Sequence, residues 1–393
     1  MHKKEISLLV FSPFYPPRIG GLESHADEFN KHIAQKGVTI TTFTARLPKS
    51  APQYEKKYDN KVEIVRYPAF YIIPNYPLPQ FWRPLFWRLL FALSHKQYDI
   101  VITRLRFFIS SFAGLLFAKW THTPLMHIEH ATQVHLNSAF KNILAHFYDY
   151  ALGRLSFVFA DCLVANAKKT AQFCRHIYKK ARCEVIYRGV EIEAIATYPS
   201  ATNLREKYHN KIIITFVGRL IDGKGVADLI AAVSEIERDF IVFIVGDGPQ
   251  RNNLEKMTAA HKMQKRIIFC GYKKQSEVIG IMKISDIIVS PSYTEGLPTA
   301  LIEAALCKKA IVATNVGGTA EIIDGINDGI LIQPKNITQL RKKIIYLINN
   351  PQVRTKYGTH AYEKAKKTFT WQRATDQYMT LFADLIAKKE KNR

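Results

Sequence analysis

The sequence predicts an α/β chain built from two successive doubly wound units with a crevice between them, and three observations carry that prediction. Short β-branched or aliphatic runs alternate with helix-length amphipathic segments. The alternation stops at a polar stretch, Glu191–Tyr208, and then restarts. A length of 393 residues favours two or three domains over one.

In the first half, Ile6–Phe11, Thr39–Thr44, Val62–Arg66 and Ile100–Thr103 read as strands, as do Pro124–Ile128, Cys162–Ala165 and Glu184–Ile186. A helix over Leu22–Gln35 ends near Gly37. Glu191–Tyr208, with Pro199 and Ser200, reads as an interdomain linker. Beyond it, Ile212–Val217, Ile241–Val245, Ile267–Phe269, Ile287–Val289, Ala310–Ala313 and Ile330–Ile332 are short buried-type strands. A last helix covers Gln372–Lys388. The expected domains are residues 1–192, 193–370 and a C-terminal helix, 371–393, that crosses back to the first domain.

Composition narrows the function classes. The formal net charge is +23, with 26 Lys and Arg against 12 Asp and Glu up to Val190, and 30 against 21 beyond it. The first half is the more cationic and would attract nucleic acid, anionic lipid or phosphorylated substrates, although solubility alone also accounts for such a charge. Basic residues are dispersed and no nucleic-acid-binding signature accompanies them, so no nucleic acid is expected as a partner. Five scattered cysteines form no CxxC pair, which suggests neither a zinc site nor a disulfide framework and fits a reducing cytoplasm. The N-terminal apolar run reads as a first strand rather than a signal peptide, and Phe107–Ala118 is too short to span a bilayer.

Three glycine-containing loops follow predicted strands at their carboxyl ends, where open α/β sheets bind ligands. The first, PPRIGGLESHADEF, places Gly20 and Gly21 at the start of a helix, where backbone N–H groups and the helix dipole suit an anion. Taken alone, a plain strand-to-helix turn is the better explanation of it. The second, VGRLIDGKG, offers Gly218, Arg219 and Lys224: a forked guanidinium and a point charge suited to a departing diphosphate. The third is EGLPTALIEA, Glu295–Ala304. Pro298 suits a first helical turn, leaving N–H groups around Leu297 and Thr299 for a phosphate. Glu295 and Glu303 would repel a lone diphosphate, but an ionised carboxylate accepts strongly from sugar hydroxyls. The stretch therefore reads as polyol at both ends with phosphate between.

These motifs, with YRGVE (Tyr187–Glu191), GDGPQRNNLE (Gly246–Glu255) and AIVATNVGGTAEII (Ala310–Ile323), make nearly the whole chain resemble the retaining glycosyltransferases of family 4. The resemblance implies a GT-B fold, two Rossmann-like domains facing each other across a cleft. It implies that Arg219 and Lys224 bind the donor diphosphate, that Glu295 contacts the donor sugar and that Glu303 contacts the ribose. It further implies that Gly296–Thr299 line the phosphate turn, and that Gly21 approaches the donor from the first domain. Two departures stand out: Arg188 replaces the family's usual Asn before Gly-Val, and His130, the candidate catalytic-side histidine, is followed by Ala131. His127 reads as a packed strand residue. His127, Glu129 and His130 lack a third ligand cluster at metal spacing, so no metal site is expected.

The implied reaction is a retaining, hexosyltransferase-type transfer from a UDP- or GDP-linked sugar to an acceptor hydroxyl. No cofactor is tightly bound, and no motif requires a divalent metal. The acceptor is expected to be a lipid or lipid-linked glycan. Tyr67–His95 is rich in aromatics with Arg83 and Arg88 interleaved, which suits an anionic membrane surface and a peripheral location on the inner face of the cell membrane. A hydrophobic helix packed on the sheet behind a Pro-rich loop would explain the same segment. Other readings are a soluble acceptor, a nucleotide-sugar 2-epimerase of the same fold, and nucleic-acid binding without catalysis.

Overall fold

The computed structural model describes residues 5–18, 20–73, 76–131 and 146–391. The chain divides into two compact units, Met1–Arg188 with Trp371–Arg393, and Gly189–Thr370.

The first unit is built on β1 (Ser7–Ser12), β2 (Thr39–Ala45), β3 (Tyr54–Lys57), β4 (Val62–Tyr67), β7 (Ile100–Arg104), β8 (Leu125–Glu129), β9 (Cys162–Ala165) and β10 (Cys183–Val185), in the order β10-β9-β8-β7-β1-β2-β4-β3. Every pairing is parallel except the antiparallel edge strand β3. Because successive strand side chains point to opposite faces, β1 feeds two cores. Leu8 and Val10 pack with Phe29 and Ile33 of helix α1 (Gly21–Gln35) and with Tyr378 and Phe382 of the C-terminal helix Trp371–Lys391. Leu9 and Phe11 pack on the other face with Phe86 and Leu89 of α2 (Pro84–Ser94) and Leu115 of α3 (Ile109–Trp120). Both faces are buried, which is why these strands read as continuous apolar runs.

The second unit is a six-stranded parallel sheet: β11 (Ile212–Val217), β12 (Phe240–Val245), β13 (Ile267–Gly271), β14 (Ile287–Ser290), β15 (Ala310–Thr314) and β16 (Ile330–Ile332), ordered β13-β12-β11-β14-β15-β16. The topology reverses at β1 in the first sheet and between β11 and β14 in the second, placing ligand-type crevices at those carboxyl ends.

Several expectations change. Glu191–Tyr208, expected as an interdomain linker, lies within the second unit and forms two short helices, Ile192–Thr197 and Thr202–Lys207. Leu204 and Tyr208 pack onto the second unit's core, and the Ala201 N–H donates to the Gly280 carbonyl. The unit boundary accordingly falls after Arg188 rather than 192. The Pro-rich segment before α2 contains an antiparallel pair, β5 (Ala69–Ile73) and β6 (Tyr76–Pro79), and β3 adds a third strand that the sequence reading passed over. Both escape notice for one reason: a two-stranded ribbon and an edge strand bury too little to require a long apolar run.

Candidate active site

In the second unit, the carboxyl ends of β11 and β14 bring together two of the predicted loops. β11 leads into Gly218 and Arg219, and a short 3₁₀ turn, Asp222–Lys224, follows. Arg219 is exposed and has no hydrogen-bond or ion-pair partner among the described residues. Gly225 closes the turn at φ 64°, and a Cβ there would lie 2.1 Å from the Pro291 carbonyl oxygen, so only glycine lets this loop press on the chain leaving β14. The Tyr293 N–H donates to the Gly223 carbonyl at 2.8 Å, locking the two loops together.

That contact delivers Lys224 to Glu295, with Nζ 2.6 Å from Oε1. The buried Ser292 hydroxyl donates to the same oxygen at 2.8 Å. The turn is held from behind by the loop after β15: the Gly318 N–H donates to the Gly296 carbonyl at 2.6 Å, and a Cβ on Gly317 would lie 2.0 Å from the Glu295 carbonyl. Leu297 and Pro298 are buried. Pro298 is the N-cap of helix Thr299–Leu306 in extended conformation, one position before the first helical turn expected for it, and no side chain caps this start. Glu303 is nearly buried, and its Oε1 accepts from Nε2 of Gln275 at 3.0 Å. Gly218, Arg219, Lys224, Glu295, Gly296, Leu297, Pro298, Thr299 and Glu303 thus belong to one unit and one end of one sheet. Sequence reading missed Ser292, Gln275 and Gly317, whose roles depend on contacts distant in the chain.

Gly20, Gly21 and His130 belong to the first unit. Beside Gly20 the space is filled by the buried Glu23 carboxylate, which pairs with Arg18; a Cβ at Gly20 would meet it. Nothing lies within 4 Å of a Cβ built on Gly21. Arg188 is pinned to the start of α1, with Nη1 donating to the Gly21 carbonyl at 3.2 Å and Nη2 pairing with Glu28 at 2.8 Å. The charge that Arg188 adds is matched by that carboxylate.

His130 follows β8 with its ring edge-on to His25, centroids 4.8 Å apart. Burial, then the nearby Arg104, push its pKa down to about 3, so the ring is neutral near pH 7. His127 is fully buried, with Nδ1 2.8 Å from the Thr103 hydroxyl. Among the described residues no group of three His, Cys, Asp or Glu is arranged to hold a metal ion.

The aromatic segment presents two faces. Phe86, Leu89 and Leu93 of α2 are buried against the sheet. Trp87, Phe91, Leu116 and Trp120 are more than half exposed and, with Phe112 and Arg88, line an apolar groove of about 860 Å³ between α2 and α3. Arg83, Arg88 and Lys119 are exposed around it. No helix among the described residues is long and apolar enough to cross a membrane.

Residues 19–194 match the family described as Glycosyltransferase Family 4, and residues 202–364 match Glycosyl transferases group 1. An uncharacterized glycosyltransferase of Methanocaldococcus jannaschii is 38% identical over 394 residues, covering 98% of this chain and 100% of that protein. The N,N'-diacetylbacillosaminyl-diphospho-undecaprenol alpha-1,3-N-acetylgalactosaminyltransferase of Campylobacter jejuni is 26% identical over 64% of this chain and 69% of its own. Among solved structures, that of Anabaena HepE in complex with UDP shares the fold with a TM-score of 0.76 at 18% identity, covering 97% of this chain and 100% of that one. With two Rossmann-like units and a relative this similar over its whole length, the chain belongs to the family 4 glycosyltransferases of GT-B fold.

Proposed function

We propose that this glycosyltransferase moves a hexosyl group from a UDP- or GDP-linked sugar to an acceptor hydroxyl with retention at the anomeric carbon. The Lys224–Glu295 pair beside an uncapped helix start and the exposed Arg219 is the observation that carries this reading. Arg219 and Lys224 would neutralise the diphosphate as its bond to the anomeric carbon breaks, and the helix N–H groups would add to that field. The acceptor oxygen then bonds to the anomeric carbon, and its proton passes to the departing phosphate oxygen. Glu295 would accept hydrogen bonds from the sugar and Glu303 from the ribose. His130, neutral near pH 7, would act as a hydrogen-bonding group rather than a cation.

The acceptor in this reading is a lipid or lipid-linked glycan, met at the inner face of the cell membrane. The groove between α2 and α3 supports it: aromatic rings ringed by Arg83, Arg88 and Lys119 suit the boundary of an anionic bilayer. The name of the Campylobacter relative, an N-acetylgalactosaminyltransferase with a diphospho-undecaprenol-linked sugar in its title, points the same way.

Labelled UDP- and GDP-sugars would be incubated with a bacterial membrane extract and either the wild-type chain or Glu295→Ala. Label in the organic phase from one donor, lost in Glu295→Ala, is the expected result. Label only in water-soluble products would remove the lipid acceptor, and no transfer from any donor would remove the proposed reaction.

A further inference from the structure

The apolar groove between α2 and α3 is deeper and better formed than contact with a flat surface requires. Its volume, about 860 Å³, lies in the range of ligand pockets, roughly 300–1,000 Å³. Phe86 and Phe117, both buried, form its floor, and Ala113 lines it partway along α3. The exposed rings along it are held in place. Nε1 of Trp87 donates to the Phe81 carbonyl at 2.7 Å, and Phe91 of α2 stacks on Trp120 of α3 with centroids 6.2 Å apart. Such a trough faces water and lacks dispersion contacts on its open side until something fills it.

Its length and direction say what could fill it. Lining residues recur along α3 from Ile109 to Trp120 at helical spacing, a span of about 16 Å. One leaflet of a bilayer's hydrocarbon core is about 15 Å deep. α3 starts just beyond the carboxyl end of β7 and runs back along the sheet, so the Ile109 end of the groove lies at the sheet end that also carries Gly21 and His130. Neither helix carries an acidic residue, and Arg83, Arg88 and Lys119 are exposed around the groove. Cations around an apolar trough complement a hydrocarbon chain with an anionic head.

We propose that this groove receives one hydrocarbon chain of the acceptor lipid, drawn out of the bilayer, and so delivers the lipid's polar end to the carboxyl end of the first sheet. This goes beyond contact with the membrane surface, and it rests on the lipid-acceptor reading above. Affinity then grows with chain length until the groove is full.

The full chain would be titrated calorimetrically, without vesicles, with butyl phosphate and with dodecyl phosphate below its micelle concentration. The two probes share a head group and differ only in chain. Dodecyl phosphate binding one-to-one and at least tenfold tighter is the expected result. Ala113→Phe should remove that difference, because the ring fills the groove, while nucleotide affinity stays within twofold. A phenylalanine there also enlarges the apolar face, so simple contact with a bilayer would be kept. In the labelled-sugar assay the same variant should lower transfer into the organic phase at least tenfold. Ala113→Leu, a smaller fill, should give an intermediate loss and serves if Ala113→Phe does not fold. Equal affinity for both phosphates overturns the proposal, as does an Ala113→Phe chain that binds dodecyl phosphate or transfers label as well as wild type. A concentration-dependent dimer dispersed by Trp87→Ser with Trp120→Ser would assign the groove to a second copy of the chain and also overturn it. Failure of the wild type itself to put label into the organic phase would overturn the lipid-acceptor reading, and this proposal with it.

Discussion

Lys224 and Glu295, 71 positions apart in the chain, meet through an ion pair of 2.6 Å, and the Ser292 hydroxyl donates to the same carboxylate oxygen. In the proposed transfer, two groups so joined should act as one unit. Lys224→Ala and Glu295→Ala should each lower kcat/KM by about a hundredfold or more, the scale of losing one preorganised electrostatic group. The double variant should lose little beyond the worse single one. Steady-state kinetics with the cognate nucleotide sugar tests this, and fully multiplicative losses would show that the two groups act independently.

Gly225 lets the Lys224 turn approach the Pro291 carbonyl at a positive φ. Gly225→Ala should destabilise the chain by roughly 1–3 kcal/mol and weaken donor binding, because the clash is with backbone and the strain falls on the turn carrying Lys224. Urea denaturation with parallel nucleotide titration measures both effects. An unchanged midpoint would contradict the close approach.

Gln275 holds the Glu303 carboxylate at 3.0 Å. If Glu303 receives the donor's ribose, Gln275→Ala should raise the donor KM about tenfold while kcat changes less than twofold, the signature of lost binding shared by ground and transition states. A fall in kcat at constant KM would place Gln275 in the chemical step instead.

His25 and His130 both have pKa values held below the usual histidine range, by burial first, with Arg104 and Arg188 adding to the shift. Glu129 opposes it at His130 but is paired with Arg106. The unfolded state therefore binds more protons below about pH 6.5, so stability is full above that pH and falls as pH drops towards about 3. Each ring should contribute a slope of roughly 1.4 kcal/mol per pH unit in this window. Between pH 6.5 and 5, above the carboxylate range, His130→Gln should flatten the denaturation profile relative to wild type. An equal slope would contradict the neutral ring.

The α2–α3 groove makes a surface prediction. Trp87→Ser with Trp120→Ser should reduce sedimentation with anionic vesicles at least tenfold, and Arg83→Glu with Arg88→Glu should remove its salt dependence as well. Retention of binding by both double variants would sink membrane docking through this face.

Much of this protein was legible in one dimension because its strands are buried on both faces. Ile212–Val217, Ile330–Ile332 and Cys162–Ala165 have the bounds read from their apolar runs, since a strand between two helical layers has no polar face to blur the pattern. The glycine loops at the sheet ends were legible too: glycine, proline and paired charges after a strand are local requirements of a tight strand-to-helix turn. Glu191–Tyr208 was not, because two short polar helices acquire their structure from the unit they pack on rather than from their own periodicity.

The sequence by itself therefore determined the alternation of strands and helices, the family and the residues offered at the sheet ends. The tertiary structure alone decided which of those residues are engaged and which remain open. It joined Lys224 to Glu295, supported Glu303 with Gln275, filled the space beside Gly20 with Glu23, and set the His130 ring against His25. The physical reason is range. Turn chemistry and hydrophobic periodicity act within a few residues, whereas burial and charge pairing depend on whichever groups the sheet topology brings to the same end.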